Sequence, residues 1–148
     1  MMVHNEREAL CVAVEMERRA IRVYERALLL AADGAVRGGI DAILGQEREH
    51  LRRFMEMRES YPASAQEEQM LLQAMGAEAL FPGGVMEMER EQGLTTLEGL
   101  YAFATQSEQH AMETYLTFAE KCRDEKVALA FRAIAAEESS HLIQLRTR

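Results

Sequence analysis

Two Glu-x-x-His motifs carry the residue types in this 148-residue chain that are best suited to chemistry. The first is Glu47-x-x-His50 and the second is Glu138-x-x-His141. A carboxylate and an imidazole three residues apart lie on one face of a helix, where both can bind one metal ion. In each motif both residues fall on the apolar stripe, where leucine or isoleucine is expected. The pattern therefore predicts metal binding inside a helical core.

Two more glutamates, Glu17 and Glu108, lie on the apolar stripes of two other helical segments. Carboxylates buried without partners cost several kcal/mol each or take up protons. Two divalent cations would cancel the charge of four carboxylates, with a neutral imidazole on each cation. We expect Glu47 and Glu138 to bridge the metals, and Glu17 and Glu108 to be terminal ligands. Oxygen-rich ligation without thiolate favours iron, or manganese, over zinc or copper(I).

A tyrosine follows each of these two glutamates by seven residues, Tyr24 after Glu17 and Tyr115 after Glu108. A tyrosine on an inner stripe is usually a core residue whose hydroxyl has a polar partner. Here each lies two helical turns from a ligand, and we expect its hydroxyl to bond a supporting carboxylate outside the ligand set.

An internal repeat relates the two motifs. A shift of 91 residues places 4–57 onto 95–148 without a gap, with 11 identities in 54 positions. The overall similarity is weak, yet it includes the glutamates, histidines and tyrosines named above. A repeated helical hairpin with inward carboxylates is typical of four-helix bundles that bind two metals at the centre.

The elements that position these residues are four helices, predicted at about 5–32, 36–60, 95–122 and 124–145. Asp33-Gly34 is expected to end the first helix, with glycine in the left-handed conformation. The segment 61–94 has no single period, apart from a capping box at Ser64 and Glu67 that opens a short helix. It is long enough to cross the roughly 30 Å length of a bundle. We expect one all-α domain over 1–148, an antiparallel four-helix bundle of two hairpins with a long crossover.

The composition excludes several classes of function. The net charge is −8 with no basic block, which argues against nucleic acid. No apolar run could span a bilayer and the first residues do not resemble a signal peptide, so we expect no membrane contact and a cytoplasmic location. Cys11 and Cys122 form no Cys-x-x-Cys motif, and neither a zinc ribbon nor a rubredoxin-type iron site is encoded.

The set of motifs resembles the ferritin-like superfamily and most closely its rubrerythrin branch. The resemblance covers nearly the whole chain except the crossover. It implies a ferritin-like bundle with a non-haem di-iron centre and redox activity towards hydrogen peroxide or dioxygen. It also places the family's six ligands on Glu17, Glu47, His50, Glu108, Glu138 and His141.

The chain departs from the family pattern at several points. No rubredoxin-like domain follows His141, so we expect an external electron donor. Ala111 stands where rubrerythrins carry a further glutamate, which makes the site more symmetric and similar to the ferroxidase centre of bacterioferritin. Arg48 replaces the methionine that binds haem in bacterioferritins, and no haem is expected.

Three functions remain open at this point. The first is a di-iron oxidoreductase that reacts with hydrogen peroxide or dioxygen in defence against oxidative stress. The second is a ferroxidase that oxidises and hands on iron. The third is a non-catalytic, metal-stabilised module that senses or binds a partner. For each, manganese or a mixed pair could replace iron, and we expect a homodimer.

Overall fold

The computed structural model describes residues 3–78 and 96–147, and all regular structure within them is helical. This confirms the all-α prediction. In chain order the helices are α1 (Glu6–Leu30), α2 (Gly34–Arg58), α3 (Ala65–Glu78), α4 (Leu97–Lys121) and α5 (Glu125–Arg146).

Side-chain caps begin the helices. Asp33 accepts hydrogen bonds from the backbone N–H groups of Ala35 and Val36, and its repeat equivalent Asp124 caps α5 in the same way. The predicted capping box at the start of α3 is confirmed. The Glu67 N–H donates to Ser64 Oγ at 3.1 Å, and the Ser64 N–H donates to the Glu67 carboxylate at 3.4 Å.

The predicted glycine end of α1 is wrong. Ala31 ends the helix with extended backbone, φ −78° and ψ 123°, and Gly34 is already the first residue of α2. The physical reason is that Asp33, itself extended, satisfies two N–H groups at the start of α2. Only two residues are then left between Ala31 and the helix that follows, and α2 begins two residues before its expected start at 36.

Two pairs of consecutive helices form most of the packing. α1 lies along α2, α4 lies along α5, and α1 also packs on α4. α3 rests against α1, and α2 approaches α5. The core between them holds small and aromatic apolar side chains, including Ala13, Ala104 and Phe131. The arrangement is compatible with a helical bundle whose interior receives one face of each long helix.

The predicted crossover of 61–94 is described only in part. Its first half contains α3, and residues 79–94 lie outside the described residues. Within 3–78 and 96–147, no helix combines the length and the apolar character needed to cross a membrane.

Candidate metal centre

One buried cluster brings together all six ligands expected from the sequence. Helices α1, α2, α4 and α5 each contribute to it, and no member is more than 2% exposed. Its members form two overlapping groups, and within each group one ligand atom per residue lies within 4.8 Å of the others. The groups are Glu17, Glu47, His50 and Glu138, and Glu47, Glu108, Glu138 and His141. Glu47 and Glu138 belong to both groups, which is the placement expected of bridging ligands.

The two histidines reach across the bundle towards each other's motif. His50 Nδ1 lies 2.7 Å from Glu138 Oε1, and His141 Nδ1 lies 2.8 Å from Glu47 Oε1. The distances to the remaining glutamates are also matched, 3.7 Å from His50 Nδ1 to Glu17 Oε1 and 3.6 Å from His141 Nδ1 to Glu108 Oε2. Residues that are equivalent in the sequence repeat therefore make equivalent histidine–glutamate contacts in the structure.

The same six residues leave polar atoms without hydrogen-bond partners. The short histidine–glutamate contacts are not aligned as hydrogen bonds. Within the described part of the chain, the unpartnered buried atoms include Glu17 Oε2, Glu47 Oε1, His50 Nδ1, His50 Nε2, Glu108 Oε2, Glu138 Oε1 and His141 Nδ1. Leaving one such atom unsatisfied costs about 1–3 kcal/mol, and more for a charged group. Every member thus has at least one unsatisfied atom, and each group offers three carboxylates and one imidazole. This is a ligand set that a divalent cation would satisfy. The residues present therefore fit two divalent cations.

Each tyrosine bonds a glutamate of the opposite repeat. Tyr24 Oη donates to Glu108 Oε1 at 2.6 Å, and Tyr115 Oη donates to Glu17 Oε1 at 2.8 Å. This corrects the sequence expectation, because the acceptor is itself a candidate ligand and not a supporting carboxylate. Burial and the adjacent carboxylate raise the pKa of both hydroxyls well above the ordinary value, so both remain donors.

The carboxylates of the centre differ in pKa. Burial, followed by repulsion from Glu108, raises the pKa of Glu47 and of Glu138 well above the ordinary value of 4.5. For Glu108, burial also acts to raise the pKa, but the neighbouring Glu138 and His141 and the hydrogen bond from Tyr24 hold it below the ordinary value. In the metal-free protein the shared glutamates therefore keep their protons to a higher pH than ordinary carboxyl groups, and a cation would displace those protons on binding.

A small cavity borders the carboxylates on the side of α1 and α4. Its volume is about 10 Å³, close to the space of one water-sized probe. Ala20 and its repeat equivalent Ala111 line it, and their small side chains leave this space beside the centre. Met16 and its equivalent Ser107 also line it, and the buried Ser107 Oγ has no hydrogen-bond partner among the described residues.

Three functional candidates were missed by the sequence analysis. Ser107 is one, and the others are Gln46 and Glu137, which contact the outer ring nitrogens of the histidines. Each stands one residue before a ligand glutamate. The alignment of the two halves gave no specific signal for them, because the repeat equivalents differ in type at these positions as they do at most others.

All eight residues predicted for the site lie together in the structure: six as candidate ligands and two tyrosines bonded to them. No protein-family model, curated protein or solved structure matches this chain. What the centre can do is therefore argued from its own residues. Buried Glu and His groups that could hold metal ions are present, and they do not specify which metal.

Proposed function

We propose that this chain is a di-iron oxidoreductase that reacts with hydrogen peroxide or dioxygen and takes electrons from an external donor. The observation that carries the proposal is the buried cluster of four glutamates and two histidines. Each of these residues has an oxygen or nitrogen atom that could bind a metal and that has no hydrogen-bond partner among the described residues. The choice of iron and of these oxidants follows the rubrerythrin-like resemblance of the motifs. A ferritin-like arrangement of the two hairpins, with a crossover between α2 and α4, is part of the same proposal.

The residues that would hold the ions divide between the two groups. Glu17 and His50 would serve one ion, Glu108 and His141 the other, and Glu47 and Glu138 both. Two ferrous ions bound there would supply the electrons for reducing the oxidant.

The protein's own residues would exclude water, orient the ligands and hydrogen-bond the oxidant. Burial excludes bulk water, which strengthens electrostatic interactions in the site. Tyr24 and Tyr115 donate to Glu108 and Glu17 and fix the orientation of those carboxylates. In the adjacent cavity, the Ser107 hydroxyl is placed to donate a hydrogen bond to a small oxygen-containing molecule.

Stopped-flow kinetics of the ferrous protein test the proposal. Protein loaded with Fe(II) without oxygen is mixed with hydrogen peroxide or, separately, with dioxygen, and iron oxidation is followed by absorbance. We expect rapid oxidation by at least one oxidant, followed by re-reduction with an added donor while the iron stays bound.

The matched variants are Glu47→Ala and Glu49→Ala, two residues apart on α2. Glu49 is exposed and bonds Arg52, whereas Glu47 lies in both ligand groups. Only Glu47→Ala should abolish the fast phase. Wild-type iron that oxidises no faster than free Fe(II), or equal loss in both variants, would contradict the proposal.

A ferroxidase is the second candidate, and the closely matched distances in the two halves favour it. The distances from the inner histidine nitrogens to the glutamates repeat between the halves within about 0.1 Å, as at His50–Glu138 and His141–Glu47. A ferroxidase would oxidise Fe(II) rapidly with dioxygen and then lose the ferric iron from the centre. Gel filtration of the oxidised protein with iron analysis separates the two functions.

A further inference from the structure

The outer ring nitrogens of the two histidines face unlike residues. His141 Nε2 is hydrogen-bonded to Gln46 Oε1. His50 Nε2 has no hydrogen-bond partner among the described residues, and the Glu137 carboxylate lies beside it, 3.6 Å away at Oε2. Gln46 and Glu137 hold the same position in the repeat, one residue before a ligand glutamate. Contacts at the inner nitrogens are matched between the halves, and the difference appears only behind the rings.

A second repeat position adds to this difference. Arg53 Nη1 donates to Glu137 Oε2 at 3.0 Å, and the repeat equivalent of Arg53 is Gln144. The charged pair therefore stands behind one histidine, and its neutral counterparts occupy the equivalent positions of the other half. Arg53 offsets part of the Glu137 charge but also holds the carboxylate beside His50. Gln46 carries no charge to offset.

The partner of the outer nitrogen affects how strongly a histidine binds a metal. When Nδ1 is the ligand, Nε2 carries the proton and needs an acceptor, which fixes the tautomer. A carboxylate beside the outer N–H makes the imidazole a better metal ligand than a neutral amide does, because its negative charge favours positive charge on the ring. Changes of such partners typically alter metal affinity by about 10–100-fold.

We propose that the two metal positions are unequal, and that the position of Glu17 and His50 binds a divalent cation more tightly than the position of Glu108 and His141. The cause is the negative charge of the Glu137 carboxylate beside His50 Nε2, where Gln46 offers only a neutral amide to His141. This inference rests on the proposed function in one respect: the six residues must bind two divalent cations.

Half-site variants measure the inequality directly. Glu108→Gln leaves the Glu17 and His50 position intact, and Glu17→Gln, its repeat equivalent, leaves the other. Each is titrated with Co(II) alone by calorimetry, with visible absorption reporting the coordination of the metal. We expect the E108Q protein to bind its single Co(II) at least tenfold more tightly than the E17Q protein.

Exchange of the outer residues tests the cause. Glu137→Gln added to E108Q should reduce its affinity about tenfold, and Gln46→Glu added to E17Q should raise its affinity by a similar factor. A gain of affinity cannot come from misfolding. The variant that combines Gln46→Glu with E17Q therefore remains a valid test even if the variant that combines Glu137→Gln with E108Q is destabilised. Circular dichroism confirms that all four proteins are helical.

The outcomes separate this inference from the proposed function. The inequality would be overturned by equal affinities in the two half-site variants, by a reversed order, or by exchanges without effect. If the wild-type chain still bound two Co(II) ions, the proposed function would stand. A wild-type chain that takes up no Co(II) would overturn both.

Discussion

At the residue scale, the centre combines four carboxylates and two imidazoles in a space from which water is nearly excluded. The pairs Tyr24–Glu108 and Tyr115–Glu17 and the reciprocal histidine contacts each occur twice. The sequence predicted which residues take part, because a charged side chain on an apolar stripe is costly to bury and therefore needs a compensating partner. It did not predict that the tyrosines cross to the opposite hairpin, since the spacing along one helix does not report the facing helix.

The pH dependence of the metal-free protein follows from Glu47. Its folded pKa lies above the ordinary 4.5, so the unfolded chain loses this proton first as the pH rises. The stabilising contribution of the protonated form is fully present below pH 4.5 and is lost as the pH rises through the folded pKa. Glu47→Gln is neutral at every pH. We expect this variant, in chelator, to gain stability relative to wild type progressively as the pH rises above 4.5 towards the raised folded pKa of Glu47.

Urea unfolding of both proteins over that pH range measures the difference. The gain should approach zero at the acidic end, where wild-type Glu47 is also neutral. A difference in the free energy of unfolding that stays constant from the acidic to the alkaline end would show that Glu47 is ionised throughout in the folded protein.

The tyrosine hydroxyls should matter for metal affinity more than for packing. Tyr24→Phe or Tyr115→Phe keeps the ring but removes the donor to a ligand carboxylate, and we expect Mn(II) affinity to fall about tenfold or more. The control is Tyr61→Phe, which removes a hydroxyl bonded to Asp124, outside the centre. Equilibrium dialysis makes the comparison. Similar losses in all three variants would point to a general change in structure.

At the element scale, the helices are held in register by contacts near their ends. Their types and approximate bounds were predictable, because the apolar period, Asp124 and the Ser64 capping box are local signals. The end of α1 was not, because Asp33 and Gly34 can serve either neighbouring helix. In the structure the Asp33 side chain caps α2, and Gly34 is the first residue of that helix. The aromatic packing of Phe54, Tyr115 and Phe131 likewise joins three helices and has no local signature.

Glu6 joins the start of α1 to the start of α5. Its carboxylate accepts from the backbone N–H groups of Arg123 and Asp124. Burial acts to raise the pKa of Glu6, but these amides hold it below the ordinary value, so its contribution to stability is present at neutral pH and is lost as the pH falls through the lowered folded pKa.

We expect Glu6→Ala to reduce the free energy of unfolding by about 1–3 kcal/mol at pH 7, because two partly buried N–H groups lose a charged acceptor. The control is Glu25→Ala, since Glu25 is exposed and pairs only with Arg48 among the contacts of the described residues. Thermal or urea unfolding gives both values. An equal effect of the two substitutions would mean that the Glu6 contact contributes nothing beyond a surface charge.

At the scale of the whole molecule, the two hairpins depend on each other at the centre. Each candidate metal position takes two glutamates and a histidine from one repeat and one glutamate from the other, so neither hairpin could form a complete position alone. The repeat made this organisation predictable, because equivalent positions carry the same chemistry. The inequality behind the histidines was not predictable, since it requires knowing that Gln46 and Glu137 face the opposite hairpin's ring.

The central claim is that the cluster holds two metal ions, and counting metal per chain tests it most directly. The protein is loaded with Fe(II) under strictly anaerobic conditions, freed of unbound metal, and measured for iron and protein, beside Glu138→Ala treated identically. We predict two Fe(II) per wild-type chain and no tightly bound pair in the variant. Wild-type protein that retains no iron, or Glu138→Ala protein that retains two, would contradict the account.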